Sequence, residues 1–374
     1  MINKSLCGFN NLGNTCYLNS VLQLLLKTNI LDNFFENSFG ENKFENRIIK
    51  NINNLDLKKS LTYQLYLLYK EIINTNEKYI SPIQFKNTCL KMFDDFIEFQ
   101  QEDSIELLIK IINKIEDECK RNSKIKFENH NEDFIKYDEL YKKYDLCKDE
   151  EHKIKYVKLM NYIIKKDILL FKKYNSLLFI KNVFNKNYCS LINEISLFEI
   201  NEINCVNCDY LSFTYEKNII LIMDLEKSLE ECFETNYKTK KTDEYFICPK
   251  CLLKNNCFIK RKIYKKPLHL FIQLNKFELK KRIWNKKNKN VEIPFNFNIK
   301  KYCDVEIETC NNYDYKLIGF IEHHGETKNG GHYTADCLNI LKNEWVHYDD
   351  RYCEMINKNK ITKNNAYLFL YSLM

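Results

Sequence analysis

The chain has 374 residues, 45% of them hydrophobic, and 58 Lys and Arg against 51 Asp and Glu give a net charge of +7. This suits one large domain or two ordinary ones with a real core; the basic residues are scattered rather than gathered, which argues against a nucleic-acid partner. No run approaches the roughly 18 apolar residues of a membrane span, and Met1–Leu6 lacks an apolar signal core, so the 16 cysteines are expected to be reduced, in a cytoplasmic or nuclear protein.

In chain order, the first feature is a loop with glycines at Gly8 and Gly13, ending in Asn14-Thr15-Cys16. Leu18, Val21, Leu22, Leu25 and Leu26 then recur at helical spacing, predicting a helix over 16–27 that Thr15 or Asn14 can cap. A cysteine at a helix start meets the positive end of the dipole and free N–H groups, which favour a thiolate. The same N–H groups can receive an oxyanion, and the side-chain amide of Asn11 can be a second donor. Cys16 is therefore the candidate nucleophile.

Residues 61–73 and 101–118 also predict helices; in the second, Ile105, Leu107, Leu108, Ile111, Ile112 and Ile115 supply the core face. Residues 120–186 are dense in Lys, Glu, Asp and Tyr and hold no glycine or proline. Their apolar spacing predicts a helical insertion, read as a two-helix hairpin. From 190 the texture turns to β, with strand-like runs at 219–223, 269–274, 316–321, 333–337, 345–348 and 367–371. The plan is helical first and β-rich second, an α+β chain.

Two CxxC knuckles, Cys205/Cys208 and Cys248/Cys251, punctuate the β region. Such turns put two sulfurs on one tetrahedral edge, and two of them close a structural zinc site with no open position for substrate. No cofactor is expected in catalysis itself.

Near the C-terminus, Gly330 and Gly331 open the approach to His332. A hairpin of 332–337 with 344–349, around a loop at 338–343, would set His332 directly opposite Asp349. That carboxylate would orient the imidazole while the other ring nitrogen faces the cysteine. Alternation points Asp350 to the opposite face, although a bulge would exchange the two acids. His323, His324 and His347 are rival bases. A cysteine before a helix and a histidine opening a strand, far apart in sequence, imply a thiol protease assembled by folding.

These segments resemble a known family. Gly8-Phe9-Asn10-Asn11-Leu12-Gly13-Asn14-Thr15-Cys16-Tyr17-Leu18-Asn19-Ser20 is similar to the Cys box of the ubiquitin-specific proteases, and Gly330-Gly331-His332-Tyr333-Thr334-Ala335 through Trp345 and Asp349-Asp350 to their His box. Gln101 to Leu108, Pro267 to Phe277 and Ala366 to Tyr371 resemble further family segments, leaving 120–186 as the main unmatched stretch. The resemblance implies a papain-like fold of thumb (1–119), fingers with a zinc-binding ribbon (187–265) and palm (266–374), interrupted by the insertion at 120–186.

By resemblance, Cys16, His332 and Asp349 take the catalytic positions, Asn11 the oxyanion hole and Asp350 a supporting or alternative acid. Asp103 and Glu106, at i and i+3 on one helix face, would hold the basic tail of ubiquitin, with Gly331 and Tyr333 also lining the substrate path. The resemblance implies a monomeric deubiquitinase acting on ubiquitin and ubiquitinated proteins. A catalytically dead ubiquitin-binding scaffold and a protease for another ubiquitin-like modifier are the alternative readings. Because the motif starts at residue 7 and little follows the last strand, no flanking regulatory domain is expected.

Overall fold

The computed structural model describes residues 4–37, 59–125, 132–208, 210–243, 245–280, 283–287, 289–308, 310–327 and 330–374. The chain opens with β1 (Gly8–Phe9) and α1 (Cys16–Lys27), followed by α2 (Leu61–Asn74), β2 (Tyr79–Ile80), α3 (Ile83–Met92) and α4 (Ser104–Cys119). Every residue of α1 is buried. Its apolar residues join one core with α4 and the large sheet, which explains a helix with hardly a polar face. α4 begins three residues later than its periodicity suggests, because Asp103 is its N-cap and accepts from Ile105 N at 2.8 Å.

The insertion folds as three helices rather than a two-helix hairpin: α5 (Glu132–Leu146), α6 (Glu150–Lys166) and α7 (Ile168–Asn185). Phe134, Tyr137, Leu140, Met160, Ile163, Leu170 and Tyr174 form a small core of their own. α7 also packs on the neighbouring sheet through Phe171 on Phe213 and Phe179 on Tyr215. Lys172, buried on α7, bridges Glu202 and the buried Asp304. The insertion is therefore tied to the β region by both packing and charge. α8 (Ser190–Ile195) follows.

β3 (Leu197–Cys205) and β4 (Leu211–Asn218) form a hairpin. After them come β5 (Ile220–Met223), α9 (Leu229–Tyr237), β6 (Lys240–Lys241), β7 (Phe246–Ile247), β8 (Lys254–Asn255) and β9 (Cys257–Lys265). A four-stranded sheet runs β4-β3-β9-β6, with the short β7–β8 hairpin apart from it. β5 does not belong to that sheet. It pairs in parallel with β10 (His269–Leu274) at the edge of the main sheet, so the fingers assigned to 187–265 are interrupted by a strand of the palm.

The remaining elements are β11 (Phe277–Lys280), β12 (Ile283–Lys286), β13 (Asn296–Asn298), β14 (Asp314–Thr327), β15 (Gly330–Asn339), β16 (Glu344–Asp349), β17 (Tyr352–Ile356) and β18 (Ala366–Leu373). The main sheet runs β17-β16-β15-β14-β18-β10-β5, with β13 also on β14. β14, β15 and β18 are long because both faces of the sheet are covered over much of their length, as the continuous burial of 333–338 and 366–371 shows. No helix among the described residues is long and apolar enough to cross a membrane.

Candidate active site

Folding brings the N-terminal loop and the end of the main sheet together. Phe9 N donates to Asp350 O at 2.8 Å, and Gly8 lies so close that a Cβ there would sit 2.5 Å from Arg351 C and O. This is the close backbone approach for which a glycine is required. Cys16 is the first residue of α1, and Thr15 is its N-cap without a side-chain capping bond. Thr15 Oγ1 instead accepts from Leu12 N at 2.8 Å, fixing the loop before the helix.

His332 Nε2 lies 2.7 Å from Asp349 Oδ1, and the Cys16 thiol stands close enough to the ring to act on it. The register differs from the expected one by two residues. Ala335 faces Tyr348 and Asp336 faces His347, so continuation of the ladder sets Thr334, not His332, opposite Asp349. His332 reaches the carboxylate as a diagonal neighbour on the same sheet face, within the range of long side chains. Cys16 beside the ring, followed by Asp349, raises the imidazole from 6.5 to about 9 against the opposing effect of burial.

Asp350 takes a different position from its neighbour. It follows the last residue of β16 with φ +49, and its carboxylate turns back to the N-terminal loop. Oδ2 accepts from Asn11 Nδ2 at 2.8 Å and Oδ1 from Asn19 Nδ2 at 2.7 Å. Asn11 Oδ1 accepts from Gly13 N at 3.0 Å, Thr15 N at 3.2 Å and Thr15 Oγ1 at 3.4 Å. These bonds fix the Asn11 amide while its second N–H remains available. Asn19 lies inside the Cys motif, but its role in anchoring Asp350 was not legible from spacing.

A short segment links the two catalytic loops. Phe99, at φ +63, accepts through its carbonyl from Asn14 Nδ2 at 2.8 Å, and Gln101 Oε1 accepts from Gly331 N at 3.2 Å. Asp103 and Glu106 are adjacent at the start of α4, where Asp103 Oδ1 accepts from Glu106 N at 3.4 Å, but they differ in exposure. Asp103 precedes α4 as its buried cap and also accepts from Tyr367 OH at 3.4 Å, whereas Glu106 is exposed. Tyr333 is 2% exposed and packs on His323 and Tyr367. Its ring is a core element, so only its backbone is left to face a substrate. Gly331, at φ +150, has His323 Nε2 2.6 Å from where a Cβ would stand.

The rival histidines have other work. His323 is fully buried, which lowers its imidazole to about 4 and keeps it neutral. His324 Nε2 meets Thr334 Oγ1 at 3.0 Å, and His347 Nδ1 meets Asp336 Oδ1 at 2.5 Å.

The four knuckle sulfurs, of Cys205, Cys208, Cys248 and Cys251, lie within 4.8 Å of one another. The Cys205–Cys251 and Cys208–Cys248 separations are 3.9 and 3.6 Å. Tetrahedral Zn–S bonds of about 2.3 Å require S···S edges of roughly 3.8 Å, so the donor set fits zinc. The first pair of sulfurs follows β3 and the second follows β7, which explains how knuckles 40 residues apart in sequence meet.

Residues 7–371 match the family model described as ubiquitin carboxyl-terminal hydrolase. Ubiquitin carboxyl-terminal hydrolase 4 of Saccharomyces cerevisiae strain S288c is 25% identical over 398 residues, covering 97% of this chain and 39% of that protein. The probable ubiquitin carboxyl-terminal hydrolase R319 of Acanthamoeba polyphaga mimivirus is 24% identical over 425 residues, covering 97% of this chain and 89% of that protein. The chain thus spans about two-fifths of the yeast relative's length. The fold is similar to that in the SAGA Ubp8/Sgf11/Sus1/Sgf73 DUB module bound to ubiquitin aldehyde, with TM-score 0.67, 21% identity and coverage of 99% of this chain and 70% of that one. With its Cys and His segments joined at one site and the family model matched over nearly its whole length, the chain belongs to the ubiquitin carboxyl-terminal hydrolase family.

Proposed function

We propose that this chain is a deubiquitinating thiol protease, cleaving the peptide or isopeptide bond after the C-terminal glycine of ubiquitin. The observation that carries the reading is the Cys16–His332–Asp349 arrangement, with the Cys16 thiol beside the His332 ring and His332 Nε2 at 2.7 Å from the Asp349 carboxylate. Family membership supplies ubiquitin as the substrate.

The Cys16 thiolate attacks the glycine carbonyl, and its proton resides on His332. The developing oxyanion is received by the Cys16 N–H and the second N–H of Asn11, which Asp350 holds in place. The imidazolium then protonates the leaving lysine amine, and the neutral ring removes a proton from the water that cleaves the thioester. Asp349 keeps the ring oriented throughout. Glu106 binds the basic tail of ubiquitin by charge, and Asp103 organises the helix start beneath it.

Cys205, Cys208, Cys248 and Cys251 would hold a structural zinc, their sulfurs lying within 4.8 Å of one another; four thiolates would leave it no catalytic role. The protein works as a monomer in the cytoplasm or nucleus. The test is capture by a ubiquitin carrying a C-terminal electrophile: the wild type should form one covalent adduct at Cys16, and a Cys16→Ala variant none. Labelling elsewhere, or not at all, contradicts the reading.

A further inference from the structure

The loop between the oxyanion donor and the nucleophile has little packing of its own: Asn11 and Asn14 are exposed, and Leu12 and Gly13 are half-buried. Its internal bonds, from Leu12 N to Thr15 Oγ1 and from Gly13 N and Thr15 N to Asn11 Oδ1, give the loop its shape. They do not fix where it stands against the rest of the molecule. That takes ties to other elements, and two of them come from the stretch between the starts of α3 and α4.

The first tie is Lys86, in the first turn of α3. Its Nζ donates to Leu12 O at 3.0 Å and stands 5.1 Å from the centroid of the Phe99 ring. The second tie is Phe99, whose carbonyl accepts from Asn14 Nδ2 at 2.8 Å and whose ring lies 2.6 Å from where a Cβ on Gly13 would stand. Phe99 sits at φ +63, a conformation that a bulky residue keeps only where its surroundings impose it.

The Lys86 side chain is only 4% exposed, whereas Glu98, its carboxylate partner at 3.4 Å, is 54% exposed. Pairing with an exposed carboxylate would not require burial, and a buried ammonium is costly unless its donors are used. Here it is aimed at the one backbone carbonyl next to Asn11 in the chain. Phe85 and Cys89 are buried in the main core and fix the helix that carries it.

We propose that Lys86 is a positioning residue for the thiol-protease reaction: by holding Leu12 O, its ammonium sets the Asn11 amide in place relative to Cys16. This rests on the protease reading above. Cys16 is fixed independently, because α1 is buried throughout. Asp350 still bonds the Asn11 side chain when Lys86 is lost, so the donor is displaced rather than removed. Misplacing a catalytic group by about 1 Å can cost about 10²-fold, and removing an oxyanion donor costs about 10²–10³-fold. The expected loss at Lys86 is smaller, about tenfold.

Lys86→Met keeps the apolar stem and removes the donor. Rates are normalised to sites titrated to the end point with a ubiquitin electrophile, so that misfolded protein does not count. kcat should fall about tenfold with KM within about twofold of the wild type. Ubiquitin aldehyde, to whose carbonyl carbon the Cys16 sulfur adds while the proton passes to oxygen, should bind about tenfold more weakly, and ubiquitin itself unchanged. In an Asn11→Ala background, Lys86→Met should have almost no further effect on kcat, because the donor it positions is gone. Equal losses in both backgrounds, aldehyde and ubiquitin weakened alike, or a wild-type kcat would overturn the proposal. If Lys86→Met does not fold, Lys86→Gln, whose shorter side chain cannot carry an ammonium to Leu12 O, must show the same selective loss.

Failure of the protease reading would look different: wild-type protein without Cys16-dependent turnover. NMR of the Asn11 side-chain amide then decides the positioning question by itself. Its signals must shift in Lys86→Met, and signals that stay put contradict the proposal.

Discussion

Asn11 Nδ2 donates to Asp350 Oδ2 at 2.8 Å, joining a loop near the N-terminus to the turn after β16. The two aspartates in sequence thus have different partners: Asp349 bonds the His332 ring and Asp350 the Asn11 amide. Asn11→Ala should lower kcat by about 10²–10³-fold, the usual cost of one such donor. Asp350→Ala should lose about tenfold less, since Asn11 stays in place through its Oδ1 bonds. Steady-state kinetics on a ubiquitin C-terminal amide check both. An Asp350 effect as large as that of Asp349→Ala would contradict this difference.

The pH dependence follows from His332. Its imidazole is raised from 6.5 to about 9, so the cation that protonates the leaving amine is present below about 9 and is lost above it. kcat/KM should therefore fall on the alkaline side with a midpoint near 9. Asp349→Asn removes one of the groups that raises the ring, and its midpoint should move toward 6.5. An alkaline limb that does not respond to Asp349→Asn would sever the link.

Zinc should be a matter of stability. Metal analysis should find one zinc per chain, and cobalt substitution should give the visible absorption of tetrahedral thiolate ligation. Cys251→Ser or strong chelation should lower Tm by about 10 °C or more, with kcat unchanged well below the melt. A folded protein containing no metal would contradict the assignment of Cys205, Cys208, Cys248 and Cys251.

Asp103 and Glu106 separate by readout. Asp103→Ala removes the cap of α4 and should cost about 1 kcal/mol of stability, seen in denaturant unfolding. Glu106→Arg should leave stability within about 0.5 kcal/mol and raise KM for ubiquitin substrates about tenfold through a lost charge-assisted bond. A stability loss at Glu106 without a change in KM would remove it from substrate binding.

Much of the site was legible because its residues carry local signals. The apolar stripe predicted α1 from its first residue to its last, and the clustering of glycine marked where backbones cross at Gly8 and Gly331. The register of β15 with β16 was not legible, for a definite reason. A slip of two residues keeps every side chain on its face, so the apolar pattern is the same in both registers. The four-residue loop 340–343, with Asn343 at φ +53, decides the matter.

The break between α6 and α7 was hidden in a similar way. Asp167 is at once the C-cap of one helix and the N-cap of the next, with neither glycine nor proline to mark it. The displacement of β5 into the main sheet depends on pairing with β10, a tertiary choice that a short apolar run cannot announce.

The most direct test of the account is hydrolysis of a ubiquitin C-terminal fluorogenic amide by the zinc-loaded wild type and by Cys16→Ala. The account predicts turnover by the wild type and none by the variant, which should still bind ubiquitin. Turnover surviving in Cys16→Ala, or none from a folded wild type, would contradict it.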